Sequence, residues 1–363
     1  MPGILQTFRL LAAASATLAL APQHMAAQTG QMVAVPVVQA VPASPPPEAD
    51  PAFRGYVQLL AARARAEGVS EATIRAYTEG LTPNPRVISL DRSQPGTTTS
   101  GAIPRFEPYR RTHVDANRIA GGRRTYQEVA SFVPGIEAKY GVPAPVLLAI
   151  FGHESNYGRI KGDFDLARAL ATLAYEGRRR ELFAGEFIAV LKMADRGISR
   201  ERLKGSWAGA FGNPQFLPSV YLRLAVDGDG DGDRDIWHSQ ADTLASIANY
   251  FRDAGWRPGQ PWGVAASVPA DFRRASVAST SRSPTCPRVH ARHSRWMTVA
   301  EWKALGIQPL APIEDSVMAS LFEPDGPGTP AYLLTGNYRV ILHYNCSNFY
   351  ALSVGLLADE ISR

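Results

Sequence analysis

The sequence predicts an α+β protein that is mainly α-helical. Apolar residues recur at helical spacing from residue 53 to residue 81, and further helical patterns follow as far as residue 254. From residue 263 to residue 340, proline, serine and threonine instead separate short β-prone segments, which is typical of a small strand-containing domain. The chain has 363 residues, of which 45% are hydrophobic, so it can bury a sizeable core.

The first 27 residues have the layout of a secretory signal peptide. Arg9 precedes the apolar run Leu10–Ala21, and the small residues Ala26 and Ala27 suit cleavage after Ala27. No cysteine lies near this position to carry a lipid, and no later apolar stretch approaches the ~20 residues of a spanning helix. We therefore expect an exported, soluble, periplasmic protein. An uncut signal that anchors the chain in the membrane is the alternative.

The rest of the chain divides into five predicted regions. Residues 28–52 are rich in proline and alanine and are expected to form an extended linker. An N-terminal helical region (53–120), a helical core (121–262), a small β-containing domain (263–340) and a C-terminal segment that returns to the core (341–363) follow. No internal repeat is present.

The local patterns predict individual elements within these regions. Two short helices meet at Gly68, a helical stretch over 126–140 is interrupted at Pro134, and Pro145 occupies the first turn of the next helix. Further helices are predicted at 165–175, 180–195, 217–225, 240–254 and 349–361, and β-prone segments at Tyr332–Leu334 and Tyr338–His343.

Glu154 is the strongest single candidate for a chemical role. It stands where an apolar helix gives way to a turn rich in glycine, serine and asparagine. Partial burial and the negative end of the helix dipole both raise the pKa of a carboxyl group. Such a group keeps its proton near neutral pH and can donate it to a leaving-group oxygen, as in glycoside cleavage. The alternative is a helix-end glutamate that only caps the helix or meets solvent.

An aspartate-rich segment is the second strong signal. Its carboxylates alternate along the chain at Asp227, Asp229, Asp231, Asp233 and Asp235. The repulsion within this all-oxygen set is relieved by a cation, and Ca²⁺ is the metal that such ligands select. Gly232 takes the sharp-turn position of an EF-hand-like loop, but His238 stands where a bidentate carboxylate is usual, so water or Asp242 would complete the site. A flexible acidic loop without metal is the alternative.

Cys286 and Cys346 are the two cysteines of the chain. After export to an oxidising compartment they are predicted to form a disulfide, and two separate buried thiols are the alternative. Two cysteines do not complete a four-ligand zinc site. His153 and Glu154 begin an HExxH motif, but Tyr157 replaces its second histidine, which argues against a zinc protease. His153 is therefore expected to be a packed neighbour of the site.

The remaining composition excludes several functions. The sequence contains neither a Gly-x-Ser-x-Gly elbow nor a glycine-rich phosphate loop, so no organic cofactor and no nucleic-acid partner are expected. The formal charge is +5 and becomes +4 when the leader with Arg9 is removed. A modest positive charge suits an anionic polymer but is a weak signal.

Ordered motifs extend over most of the chain from Phe53. They are Gly80–Arg86, Asp91–Pro95, Tyr140–Pro143, Gly152–Gly158, Ala169–Leu173, Gly205–Gly209, Pro214–Pro218, the aspartate-rich loop 227–235, Tyr344–Ser347 and Tyr350–Ala351. In this order they resemble the B-type lytic murein transglycosylases. The resemblance implies a lysozyme-like helical core with a calcium loop, and glycan strands of peptidoglycan as the partner.

The resemblance also implies the substrate-binding residues. They are Tyr109, Arg178, Arg179, Ser206, Gln215, Tyr250, Tyr344, Asn345, Ser347 and Tyr350. The arginines match a pair that lines the glycan cleft, where they would bind acetamido or lactyl-peptide oxygens; the alternative is a solvated charge cluster. The tyrosines at 109 and 250 match cleft tyrosines, with a simple core role as the alternative. Asn213-Pro214 departs from the family pattern before the glutamine, so subsite preferences are expected to differ.

The implied reaction uses one carboxyl group. Glu154 protonates the oxygen between N-acetylmuramic acid and N-acetylglucosamine, and the 2-acetamido group of the substrate stabilises C1. The Glu154 carboxylate then removes the proton of the C6 hydroxyl, which attacks C1 and leaves a 1,6-anhydromuramoyl end. A hydrolytic muramidase, which commonly needs two carboxylates, and a non-catalytic, calcium-dependent murein-binding scaffold are the alternatives.

Overall fold

The structure, a computed structural model, describes residues 50–94, 104–280 and 283–363. The predicted signal peptide and nearly all of the predicted linker lie outside these residues. Within the described ranges, no helix combines the length and the apolar character that crossing a bilayer requires.

The described N-terminal part is helical. They are α1 Pro51–Ala66, α2 Glu71–Thr78, α3 Pro85–Arg92, α4 Phe106–His113, α5 Ala116–Glu128, α6 Val133–Tyr140 and α7 Ala144–Ser155. Side chains of Asp50, Ser70 and Asn84 cap the first three of these helices by accepting backbone N–H bonds. The predicted boundary between residues 120 and 121 falls inside α5, which packs on α7.

Four further helices complete the sequence-predicted core. They are α8 Leu166–Glu176, α9 Arg180–Asp195, α10 Pro218–Leu224 and α11 Gln240–Asp253, and the two-residue strands β1 Phe164–Asp165 and β2 Lys204–Gly205 pair beside them. These helices agree with the predicted segments to within one residue at each end. Helix α7 is almost wholly buried among them, because its apolar residues face neighbours on every side.

The small domain contains an antiparallel sheet with the order β4-β6-β7-β3-β5. Its strands are β3 Gly263–Ser267, β4 Trp296–Thr298, β5 Gln308–Pro309, β6 Met318–Phe322 and β7 Ala331–Leu334, with the short helices α12 Pro287–His290 and α13 Val299–Ala304. The sheet has its own core around Trp302, Leu321 and Leu333. The predicted mainly helical α+β class is confirmed.

The chain ends with helices α14 Gly336–Tyr344 and α15 Asn348–Ile361. The predicted β-prone segment Tyr338–His343 is therefore wrong, because it is part of α14. Thr335 starts this helix by accepting the N–H of Asn337 at 3.1 Å. The buried Tyr338, Ile341 and Leu342 recur at helical spacing, and this packing outweighs the β propensity of the segment. The predicted boundary after residue 340 also falls inside α14. Helix α15 packs along α7 and so returns to the core.

Candidate active site

Glu154 lies in the last turn of α7, where the helix ends in an unusual backbone conformation. Asn156 and Tyr157 follow with φ of 49° and 58°, so two successive residues other than glycine are left-handed. Each such residue costs on the order of 1 kcal/mol or more, and the surrounding structure has to maintain it. The turn that presents Glu154 is thus fixed by tertiary contacts.

The ring of Tyr157 supplies these contacts. It lies in a slot formed by Gly121 and Gly122 of α5 and Gly152 of α7. A Cβ atom at Gly152 would lie 2.6 Å from the ring, and one at Gly121 would lie 2.7 Å from it. The Tyr157 hydroxyl donates a hydrogen bond to the Arg118 carbonyl at 2.8 Å. The local sequence does not predict this contact, although glycines inside two helices, where glycine is disfavoured, could have pointed to a close approach at these positions.

The carboxyl group of Glu154 is half-buried and accepts a hydrogen bond from the Tyr350 hydroxyl at 2.5 Å. Burial raises the pKa of Glu154 to about 7, and the Tyr350 hydrogen bond acts in the opposite direction by favouring the carboxylate. A group with this pKa exchanges its proton readily near neutral pH. It can therefore serve as an acid in one step and as a base in the next.

A cluster of buried tyrosines surrounds Glu154. Tyr350 and Tyr344 are 5% and 2% exposed, and burial and the nearby Glu154 charge raise the pKa of both. The Tyr344 hydroxyl donates to the Pro214 carbonyl at 2.5 Å. Tyr250, whose ring meets that of Tyr344 edge-on at 4.8 Å, donates to the His343 carbonyl at 2.9 Å. These three hydroxyls are thus committed to protein acceptors.

A row of aromatic and histidine rings also lies beside Tyr350. Tyr109 of α4 stacks on His113 with ring centres 3.7 Å apart, and His113 faces His153 at 6.1 Å. His153 in turn lies 5.6 Å from the Tyr350 ring. Burial lowers the pKa of His153 to about 3, so it is neutral at physiological pH and is the expected packed neighbour. Tyr109 is half-buried, and its pKa is raised to about 12 by burial and by the charge of Glu154.

The other predicted substrate-binding residues make local contacts. Gln215 has a φ of 52° and donates from its side chain to the Gly212 carbonyl at 2.9 Å. The Ser206 hydroxyl accepts the Ala210 N–H at 3.0 Å, and the Ser347 hydroxyl caps α15 by accepting the Tyr350 N–H at 3.4 Å. Buried Asn345 ends α14. Their contact with substrate stays a prediction.

The predicted arginine pair lies in the turn between α8 and α9. Exposed Arg178 donates to the Asp91 carbonyl at the end of α3, and half-buried Arg179 packs over the Phe183 ring at 5.1 Å. Asp91 itself is buried, with its carboxylate 3.6 Å from Arg178. The structure therefore connects Arg178 to the N-terminal helices, and the role of both arginines toward glycan stays a prediction.

The aspartate-rich loop gathers only part of its predicted ligands. Within the described residues, Asp227 and Asp229 converge with Asp242 of α11, with oxygens less than 4.8 Å apart. Asp242 is fully buried, and its pKa is raised by burial and by the two neighbouring carboxylates. Such a group of hard oxygen ligands fits Ca²⁺.

The remaining aspartates of the loop have other partners. Asp235 pairs with Arg202 at 3.1 Å and with His238 at 3.0 Å. Asp233 lies 3.5 Å from Arg202, and Asp231 accepts the Asp233 N–H at 2.8 Å. The sequence offered Asp242 as a ligand in place of His238. Asp242 is the third member of the convergent group.

The two cysteine sulfur atoms lie 2.09 Å apart, which is bonding distance. Cys286 is next to α12 of the small domain, and Cys346 lies between α14 and α15, beside Asn345 and Ser347. The pair therefore joins the small domain to the segment that carries Tyr350 into the site.

Comparison with known proteins agrees with this geometry. A family profile described as a transglycosylase SLT domain matches residues 52–359. Membrane-bound lytic murein transglycosylase B of Escherichia coli (strain K12) is 30% identical over 280 residues, which are 75% of this chain and 73% of the relative.

Solved structures show the same similarity. SltB3 from Pseudomonas aeruginosa, in complex with NAG-anhNAM-pentapeptide, is 38% identical with a TM-score of 0.76, covering 86% of this chain and 80% of that one. The Escherichia coli lytic transglycosylase SLT35 in complex with calcium is 27% identical with a TM-score of 0.68, covering 86% and 93%. The sequence resemblance is confirmed, and the chain belongs to the transglycosylase SLT family of enzymes that cleave peptidoglycan.

Proposed function

We propose that this protein cleaves the β-1,4 bond between N-acetylmuramic acid and N-acetylglucosamine and leaves a 1,6-anhydromuramoyl end. The observation that carries this proposal is the environment of Glu154, a half-buried carboxyl group with a pKa of about 7 that receives a hydrogen bond from Tyr350. This group holds the proton that the leaving O4 of N-acetylglucosamine needs.

The proposed reaction has two steps. In the first, Glu154 donates its proton to the glycosidic oxygen, and the carbonyl oxygen of the 2-acetamido group bonds to C1 as the C1–O4 bond breaks. In the second, the Glu154 carboxylate takes the proton of the C6 hydroxyl, O6 attacks C1 and the acetamido oxygen leaves. Glu154 ends protonated, and no water is consumed. Tyr350 stabilises the carboxylate between the steps.

The neighbouring acidic residues support a mechanism with one carboxyl group. Asp163 and Asp165 are the first acidic residues after Glu154 in the sequence. Asp165 caps α8 by accepting the Arg168 N–H at 2.9 Å, and it pairs with Arg200 at 2.7 Å. Asp163 is exposed in the preceding loop. A hydrolytic glycosidase of the usual kind needs a second carboxylate opposite the acid. The anhydromuramoyl ligand named for SltB3 also suits the non-hydrolytic reaction.

The proposal extends to the compartment and to calcium. Peptidoglycan lies outside the cytoplasm, so we propose that residues 1–27 direct export to the periplasm, where Cys286 and Cys346 form a disulfide. Ca²⁺ would be held by Asp227, Asp229 and Asp242 and would stabilise the loop without taking part in proton transfer. The convergence of these carboxylates and the calcium complex of SLT35 support this assignment.

Digestion of purified murein sacculi tests the proposed reaction. The purified protein should release muropeptides with 1,6-anhydro ends, which mass spectrometry identifies because each is lighter than the hydrolytic product by one water. Products that carry this water would establish a muramidase instead. Binding to sacculi without released fragments would establish a non-catalytic murein-binding protein.

A further inference from the structure

The N-terminus of α4 is capped from a different part of the chain. Arg105 occupies the N-cap position, and its side chain makes no capping hydrogen bond. The carboxylate of Asp325 instead accepts the Phe106 N–H at 2.5 Å and the Glu107 N–H at 3.3 Å. Asp325 is 219 residues away from Phe106 in sequence and belongs to the turn between β6 and β7 of the small domain.

The turn that carries Asp325 is held firmly. Arg274 forms two hydrogen bonds with the Glu323 carboxylate, at 2.7 and 2.9 Å. Arg292 donates to the Pro324 carbonyl at 2.6 Å, and the Thr329 hydroxyl donates to the Gly326 carbonyl at 2.6 Å. A bidentate guanidinium–carboxylate pair fixes both distance and orientation. Asp325 therefore offers α4 a fixed point of attachment.

Helix α4 depends on such attachment because it is only eight residues long. Isolated helices of this length are unstable in water, so tertiary contacts determine its position. The ring of Phe106, the residue whose N–H Asp325 accepts, packs against Phe349 at 5.4 Å. One turn later, Tyr109 faces the Glu154 region and stacks on His113.

We propose that Asp325 is a positioning residue that attaches α4 to the small domain and thereby places Tyr109 against the bound glycan. The inference rests on the proposed function and on the predicted role of Tyr109 as a contact of a sugar ring. The small sheet domain, which has its own core, would then contribute to the active site without supplying a group that touches substrate. The Tyr109 ring stacks on His113 and lies 5.6 Å from the Phe349 ring, so its position in the site depends on how α4 is held.

The variant Asp325→Ala tests this role. We expect KM for murein fragments to rise about ten-fold, the upper part of the effect of losing a helix cap, while kcat changes little. Amide hydrogen exchange in the segment 104–113 should become faster in the protein without substrate. Asp315→Ala is the matched control, since Asp315 is an exposed small-domain aspartate that pairs with Lys303, and it should change neither quantity.

A second variant separates attachment from simple helix capping. Arg105→Ser supplies a local cap, because Arg105 already has the extended backbone of an N-cap residue. In the Asp325→Ala background it should restore slow exchange in α4 but leave KM raised. Full recovery of KM in the double variant would overturn the proposal, as would unchanged exchange and KM in Asp325→Ala alone.

Binding of a NAG-NAM-pentapeptide fragment, measured by calorimetry, keeps this test independent of the proposed reaction. If the parent protein fails to form anhydro products, the proposed function is wrong, whereas weaker fragment binding by Asp325→Ala would still support the positioning role. Unchanged fragment affinity in this variant would contradict it.

Discussion

Glu154 and Asp227 are both carboxyl groups, and the protein shifts their pKa values in opposite directions. At Glu154, burial raises the pKa to about 7, so that the proton is kept near neutral pH. At Asp227, hydrogen bonds from the backbone N–H groups of Gly232 and Gly230 lower the pKa, so that the charge is kept. These directions suit the proposed roles, which are proton exchange at Glu154 and cation binding at Asp227.

The two regions also differ in how they are assembled. The loop obtains most of its groups from a continuous segment, and Asp242 joins it from the start of α11. The Glu154 site brings together α4, α7, α14 and α15, and its central hydrogen bond joins residues 196 positions apart. The proposed proton transfer therefore depends on contacts between remote segments, whereas the proposed cation site depends on one loop and the start of the helix that follows it. The two regions should respond differently to substitution.

The largest expected effect comes from Glu154→Gln. The amide has nearly the same shape as the carboxyl group but cannot donate or accept the transferred proton. We expect anhydromuropeptide release from sacculi to fall by at least ~10²-fold.

Glu186→Gln is a matched control for this change. Glu186 is also a buried glutamate with a raised pKa, and its carboxyl group accepts a hydrogen bond from the Ser219 hydroxyl. This variant should keep its turnover. Retention of most turnover by Glu154→Gln would show that another group is the acid.

Glu154→Gln should also be more stable than the parent at alkaline pH. Because the folded-state pKa of Glu154 is raised above its ordinary value, its contribution to stability is fully present below pH 4.5 and is lost as the pH rises through about 7. Above pH 7 the parent carries a partly buried charge that the glutamine variant lacks. At pH 8, Glu154→Gln should therefore unfold at a higher denaturant concentration than the parent. Its free energy of unfolding should be greater by at most ~3 kcal/mol. Equal stability of the two proteins at pH 8 would contradict the raised pKa.

Calcium should stabilise the protein through Asp242 more than through Asp231. A metal that binds only the native state adds about 2.7 kcal/mol at a concentration of one hundred times its Kd. The parent should melt at a higher temperature in calcium than in chelator, and Asp242→Asn should lose this difference. Asp231→Asn should keep most of it, because Asp231 is outside the convergent group. Equal melting temperatures of the parent in calcium and in chelator would contradict the calcium site.

The sequence predicted the features that depend on neighbouring residues in the chain. Helical periodicity located α8 to α11 closely, and the end of an apolar helix marked Glu154. The alternating aspartates indicated a cation loop, but they did not show that Asp235 pairs with Arg202 and His238. The Tyr350 hydrogen bond, the glycine slot around Tyr157 and the Asp325 cap join remote segments. Such contacts leave no local periodicity, and β propensity misassigned α14 because tertiary packing decided its conformation.

The smallest expected effect is a shift in the pH profile of Tyr350→Phe. The Tyr350 hydroxyl donates to the Glu154 carboxylate and so lowers the pKa that burial raises. In the parent, activity should decline as the pH rises past about 7, because Glu154 loses the proton it must donate. Without the hydroxyl, the pKa of Glu154 rises further, so the alkaline limb of kcat should move to higher pH.

The plateau rate of Tyr350→Phe should fall about ten-fold, since a hydrogen bond to a charged group that forms between the two steps is lost. Tyr221→Phe is the control, because this buried tyrosine donates to the Arg234 carbonyl at 3.2 Å and not to Glu154. Its profile should match that of the parent. An alkaline limb that moves to lower pH in Tyr350→Phe would mean that the hydroxyl favours the protonated acid, and the pairing of burial with an opposing hydrogen bond would then be wrong. A shift to higher pH would show that the pKa of Glu154 is set by burial and by an opposing hydrogen bond from Tyr350, which lies 196 positions away in sequence.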